Sequence, residues 1–158
     1  MLDLFLAGIT AAAVVGYTVG PASVIDGDTL IVNETRARLV GIDAPEVDHT
    51  CREKGRSAVS PCGDLATAGL QDLVGNGPVR CQGSKRDRYR RLLATCLDHH
   101  GRDVGQFTVR TGCAVAPARW DRPNRSDEAT ARAQGLGRWA ADFEDPASYR
   151  RRRFEAQK

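Results

Sequence analysis

The sequence has no apolar run long enough to span a bilayer comfortably, no internal repeat and no heptad pattern. Nothing in it argues for assembly, so a monomer is expected. It contains no Cys-x-x-Cys, and His49, His99 and His100 stand at no metal-site spacing from the cysteines, which argues against a structural zinc. No alternation of strand and helix patterns marks a βαβ repeat, so a Rossmann-type sheet is not expected. The body also lacks strong charge of one sign. The formal net charge is +3, but residues 150–158 hold five bases and one acid, so residues 1–149 sum to −1. The body is therefore no general sponge for polyanions, and the basic tail at 150–158 is a separate, salt-sensitive feature.

What is present is a chain of 158 residues with 41% hydrophobic content, enough for one domain and not two. A domain of that size buries roughly 68 to 70% of its unfolded surface. Residues 1–16 differ in kind from the rest. From Leu4 to Val15 only Gly8 and Thr10 interrupt the apolar residues, and Ala11-Ala12-Ala13 offers a small-residue cleavage pattern. Asp3 and the missing Lys or Arg at the start make a poor secretory signal. Two readings stand: an export leader or anchor in contact with a membrane, and an extra buried segment packed on the domain.

Five cysteines, at 51, 62, 81, 96 and 113, allow fifteen arrangements with two bridges. Cys81 and Cys96 fall on consecutive strand-like stretches, 79–82 and 92–98, and can face each other across a ladder. Cys51 and Cys62 flank a polar loop that a bridge would clamp. Cys113 is left over in an apolar stretch, where a small buried hydrophobe is expected. Two bridges favour an exported protein; the bland alternative is five reduced thiols in a cytosolic one.

Residues 17–25 and 29–33 read as strands around an Asp-Gly-Asp turn, and 36–42 reads as a third. Helical spacing marks 63–74, and 103–111 reads as a short helix closed by Gly112. Ser126 is the expected cap of a third helix, and Asp145-Pro146 opens a last one that runs into the Arg-rich tail. Strands first, with helices interleaved, predict an α+β fold: a small barrel with about three helices packed on it.

Three polar motifs punctuate this pattern: Asp26-Gly27-Asp28-Thr29, Arg38-Leu39-Val40-Gly41-Ile42-Asp43-Ala44-Pro45-Glu46, and Asp87-Arg88-Tyr89-Arg90-Arg91. Asp28 and Asp43 offer hard oxygens to a cation such as Ca²⁺. Glu46, behind the stiff Pro45, can deprotonate a water, and Arg38 and Arg91 can grip a phosphate bidentately. Taken singly, each has a bland reading: a turn aspartate, an outward strand arginine, a solvated carboxylate, one arginine among several. Three motifs in order are far more specific than one.

In that order and spacing, the motifs resemble the staphylococcal (thermonuclease-type) nuclease family over residues 17–149. The resemblance implies a five-stranded barrel of the oligonucleotide-binding (OB) type and a Ca²⁺-dependent, exported enzyme. Its substrates would be single-stranded or frayed DNA and RNA, cut to leave 3′-phosphates. It implies Ca²⁺ ligation by Asp28, Asp43 and the Ala44 carbonyl, with Arg38, Glu46 and Arg91 catalytic. Arg88 and Tyr89 would neighbour the phosphate and base, although Tyr89 reads equally well as a core aromatic. The rival function is a nuclease-like binding module without turnover, and a third is an envelope scaffold whose basic tail docks on anionic lipid.

The chain departs from the family pattern at three places. Ala44 stands where the family prototype has Thr, Arg90 replaces the usual Gly between Tyr and Arg, and Ala118 and Trp120 occupy the segment of the base-stacking tyrosines. A positive φ at Arg90 would cost on the order of 1 kcal/mol. Trp120 can stack on a base for roughly 1 to 3 kcal/mol, whereas Ala118 cannot.

Overall fold

The computed structural model describes residues 16–118 and 124–158. Residues 1–15 of the expected leader and Trp120 lie outside that range. The stretch expected as one strand over 17–25 forms two, β1 (Gly16–Gly20) and β2 (Ala22–Asp26), with Pro21 between them. Proline has no N–H for a ladder, and here the strand changes partners. β3 (Thr29–Val32) and β4 (Thr35–Leu39) follow as hairpins, the second turning through Asn33 and Glu34 at φ 47° and 65°. Positive φ at both central residues gives the turn the twist of its flanking strands.

β7 (Val79–Arg86) and β8 (Leu92–Leu97) complete the main sheet, with strand order β1-β7-β8-β4-β3-β2. All pairings are antiparallel except β4 with β8. Since β1 and β2 are one segment bent at Pro21, the two ends of this order are joined, and the sheet closes around five strand positions. The fold is the OB-type α+β architecture. Leu30 and Val32 of β3, Ala37 and Leu39 of β4, and Leu92, Ala94 and Cys96 of β8 fill its interior with the strand period of two.

Both expected disulfides form. Cys81 and Cys96 are directly opposed in the β7–β8 register, and Cys51 joins Cys62. Loops of this length are stabilised by about 3 kcal/mol per bridge in the chain-entropy account. Cys113 is the free thiol and departs from expectation: it is half-buried, accepts a hydrogen bond from Thr111 Oγ1 at 3.6 Å and packs against Gly69 of α1.

α1 (Cys62–Val74) buries Ala66, Leu70 and Val74 against the barrel. Its start is fitted to the loop that follows β4: a Cβ at Gly63 would collide with the Glu46 and Val47 carbonyls, and the Gly63 N–H donates to His49 O at 3.0 Å. α2 (Val104–Arg110) is capped by Asp103, which accepts from Gln106 N. α3 (Arg125–Ala133) begins before Ser126, so the expected serine cap is not made. Tertiary docking sets the start instead, because Asp127 accepts from Gln106 Nε2 at 2.9 Å and Arg110 Nε at 3.1 Å and bolts α3 to α2.

Three short strands went unforeseen: β5 (Cys51–Glu53), β6 (Val59–Ser60) and β9 (Ala141–Asp142), in the order β6-β5-β9. They bring the chain just ahead of α4 beside the Cys51–Cys62 clamp. α4 (Pro146–Glu155) then starts on the Asp145 cap, which accepts from Ala147 N and Ser148 N, and it runs on through residues expected as tail. Among the described residues no helix is long and apolar enough to cross a membrane.

Candidate active site

The turn after β2, the loop after β4, the β7–β8 loop and one side of α4 enclose a cleft of about 630 Å³. Asp28, Arg38, Ala44, Glu46, Arg88, Tyr89 and Arg91 all line it. Asp43 lies against the same wall, tied to Arg38 and Arg150. Of the residues read from the sequence as site candidates, Trp120 is the one outside the described range.

Asp28 ends the β2–β3 turn, 7% exposed. Its Oδ1 accepts from Thr29 Oγ1 at 3.1 Å and its Oδ2 from the Ala44 N–H at 3.0 Å. Asp43, 1% exposed, is pinned through its backbone, which exchanges two 2.9 Å hydrogen bonds with Val115. Arg38, on β4, pairs with both carboxylates: Nη1 with Asp28 Oδ2, and Nη2 with Asp43 Oδ1 at 3.1 Å. Burial pulls the Arg38 guanidinium below its usual range, while Asp43 pulls it back.

Arg91 is aimed by Asp87. The Asp87 carboxylate accepts from the backbone N–H of Tyr89 and of Arg91, and its Oδ2 holds Arg91 Nε at 2.8 Å. Arg91 Nη1 also donates to Thr29 Oγ1 at 3.2 Å. Arg90 does take the left-handed conformation, φ 65°, and its carbonyl accepts from Arg86 Nη1 at 2.8 Å. The loop's own hydrogen bonds offset a strain on the order of 1 kcal/mol. Tyr89 is 60% exposed, which removes the core reading, and the Arg88 and Arg91 guanidiniums lie 4.8 and 5.4 Å from its ring centre.

Arg150 escaped the sequence reading because it was counted with the tail. It donates from Nη2 to Asp43 Oδ2 at 2.7 Å, and from Nη1 to Asp43 Oδ1 at 3.1 Å and Glu46 Oε1 at 2.9 Å. Burial disfavours its charge, but the bonds to Asp43 and Glu46 outweigh that and hold it above the usual guanidinium range. The signal was available: Pro146, Tyr149, Arg150 and Arg153 share one helical face. Tyr149 stacks on buried His49, with ring centres 4.0 Å apart, and donates to Asp48 O at 3.1 Å, while Arg153 pairs with Asp48.

Among the described residues no three His, Cys, Asp or Glu side chains form a ready-made metal cage. The donor chemistry nonetheless fits a hard cation. Asp28 and Asp43 are all-oxygen donors, nearly buried, and a single guanidinium already pairs with both, so one positive centre can serve the two. Asp26, Asp28, Asp43, Glu46 and Asp87 face Arg36, Arg38, Arg88, Arg91 and Arg150 around the cleft, five acids against five bases. A bound divalent cation would tip this balance towards anions.

The fold and cleft define a small OB-type barrel whose charged site suits a phosphodiester. The family described as "Staphylococcal nuclease homologue" matches residues 36–141. The chain is 36% identical to the succinoglycan biosynthesis protein ExoI of Rhizobium meliloti over 137 residues, covering 84% of this chain and 70% of that one. It is 31% identical to the probable endonuclease lcl3 of Botryotinia fuckeliana (90% and 58% covered) and 30% identical to that of Sclerotinia sclerotiorum (87% and 55%). The chain spans little more than half the length of those two relatives. It belongs to the staphylococcal nuclease homologue family.

Proposed function

We propose that this chain is a metal-dependent phosphodiesterase that hydrolyses single-stranded or frayed DNA and RNA, with Ca²⁺ as its cation. The observation that carries the reading is the convergence of Arg38, Arg91, Glu46 and the paired Asp28 and Asp43 on one cleft. Asp28, Asp43 and the Ala44 carbonyl would hold the cation, which when bound supplies charge neutralisation at the phosphoryl oxygens.

The chain's own residues do the rest. Arg38 and Arg91 bind the non-bridging phosphate oxygens and stabilise the charge that builds on them as water attacks phosphorus. Glu46 takes the water proton as the new P–O bond forms. The bond to the 5′ oxygen breaks, that oxygen takes up a proton from Arg91 or the water around it, and a 3′-phosphate remains. Thr29 steadies both Asp28 and Arg91 from one hydroxyl. Tyr89, exposed at the mouth beside Arg88, gives a base a stacking surface worth roughly 1 to 3 kcal/mol without reading sequence. Trp120, and separately the remaining arginines of α4, would extend the same sequence-blind contact.

We further propose an exported, monomeric protein: two disulfides need an oxidising compartment. On this reading 1–16 is the leader or anchor, 17–149 the nuclease domain and 150–158 a basic extension that lends Arg150 to the site.

The test is digestion of single-stranded DNA and RNA by oxidised protein with Ca²⁺, Mg²⁺ or chelator, alongside Glu46→Gln. The expected outcome is Ca²⁺-dependent cleavage to 3′-phosphate ends, reduced roughly 100- to 10,000-fold in the variant. Full activity in Glu46→Gln would remove the assigned base. Binding without cleavage under every condition would replace the enzyme with a binding module.

A further inference from the structure

We propose that Arg150 is a built-in counter-cation of the active site: it holds Asp43 and Glu46 while no metal is bound, and a divalent cation has to displace it. The inference rests on the metal-dependent reading above and concerns a residue outside the family match at 36–141.

Asp43 has no uncommitted oxygen in this structure. Its Oδ2 is taken by Arg150 Nη2, and its Oδ1 by Arg150 Nη1 and Arg38 Nη2. Three guanidinium N–H donors thus crowd Asp43, and a divalent cation brought to either oxygen would sit beside the Arg150 guanidinium, whose charge repels it until Arg150 withdraws. Arg38 is the harder one to move, because it grows from β4 in the barrel wall and its side chain is 15% exposed. The Arg150 side chain is 37% exposed and leaves from one side of a terminal helix. Rotation about its long side chain is enough to free Asp43, with no change in the barrel.

The same guanidinium also binds Glu46 Oε1. Losing Arg150 from Asp43 therefore loosens the carboxylate that has to accept a proton from water. Arg150 already lines the cleft, so its guanidinium, once displaced, is within reach of a phosphate there as a third arginine beside Arg38 and Arg91. α4 itself need not leave, since the Asp145 cap, the Tyr149–His49 stack and the Arg153–Asp48 pair remain. One residue thus keeps the cation-free site neutral and ordered, and couples cation binding to release of the base.

The measurement is Ca²⁺ titration calorimetry on the full chain without nucleic acid, for the wild type, Arg150→Met, Arg150→Lys and Asp43→Asn. Removing a two-carboxylate competitor should tighten Ca²⁺ binding on the order of tenfold in Arg150→Met. Arg150→Lys should fall between, because one ammonium cannot match the fork that spans Asp43 and Glu46. Arg150 Nε–Hε should give a distinct NMR signal that moves when Ca²⁺ is added to the wild type. Equal or weaker Ca²⁺ binding by a cooperatively folded Arg150→Met overturns the proposal and leaves the metal reading standing. If the wild type, Arg150→Met and Arg150→Lys all bind no Ca²⁺, both fall together. Should Arg150→Met fail to fold, Arg150→Lys and the NMR signal decide in the same way.

Discussion

Two five-residue loops flank β8, and they are built alike. Asp87-Arg88-Tyr89-Arg90-Arg91 leads into the strand, and Asp98-His99-His100-Gly101-Arg102 leads out of it. In each, the aspartate N–H donates to the arginine carbonyl at 3.0 Å, and the aspartate carbonyl accepts from the fourth residue at 2.9 Å. In each, one carboxylate oxygen takes the third and fifth N–H groups and the other takes the arginine Nε, at 2.8 Å in the first loop and 2.7 Å in the second. The fourth residue has φ 65° in one and 78° in the other. The difference lies in what surrounds the frame. Arg91 looks into the charged cleft and reaches Thr29, whereas Arg102 lies over the Phe107 ring at 4.8 Å. The same Asp-x-x-x-Arg frame thus fixes an arginine at each end of β8, and its place in the barrel decides what that arginine faces: a charged cleft for Arg91, an aromatic ring for Arg102.

Exchanging the arginines breaks the likeness most sharply. Arg91→Ala should lower nuclease turnover roughly 100- to 1,000-fold, as loss of one transition-state donor does, while Arg102→Ala leaves it unchanged in a plasmid or oligonucleotide assay. Next come the aspartates. Asp87→Ala and Asp98→Ala should each cost about 1 to 3 kcal/mol in denaturant unfolding, since each strands several N–H donors. Only Asp87→Ala should also cut turnover, up to about 100-fold, by letting Arg91 wander.

The fourth position sharpens the comparison. Arg90→Gly should stabilise the fold by about 1 kcal/mol and Gly101→Arg should cost about as much, read as opposite shifts in the unfolding midpoint. An unchanged midpoint in Arg90→Gly would mean that Arg90 holds its left-handed conformation at no cost.

The smallest effect is in acid. Burial pushes the Asp87 and Asp98 carboxyls up, but the arginine and backbone hydrogen bonds outweigh it and hold both below the usual 3.8. A depressed carboxyl stabilises the fold above its unfolded pKa, so this contribution is intact above about pH 4 and fades as the pH drops further. Asp98→Asn, which removes the titrating group, should flatten the acid limb of a melting-temperature profile below pH 4.

The barrel was legible because its strands carry a strong period of two and its turns carry their own chemistry. Asp26-Gly27-Asp28, the helical spacing of Ala66, Leu70 and Val74, and the Asp145-Pro146 start all survive as local signals. β5, β6 and β9 were not legible, since strands of two or three residues are too short to show a period and exist by pairing alone. Ser126 misled because a tertiary anchor at Asp127 outbid a local cap. In the cleft, the motifs pointed to the residues that now share it. Arg150 stayed hidden because a run of four arginines reads as solvated charge, and only its helical phase relative to Tyr149 separates it from its neighbours.

The bend at Pro21 makes eleven residues, 16–26, the seam of the whole barrel: β1 covers the open edge of β7, and β2 covers that of β3. Loss of this one segment would bare two strand edges at once, on opposite sides of the opening, each offering unpaired backbone to another molecule. The stretch that carries Asp28's turn is also what keeps the sheet from recruiting copies of itself. Damage there would show first as association between chains, before any slowing of hydrolysis.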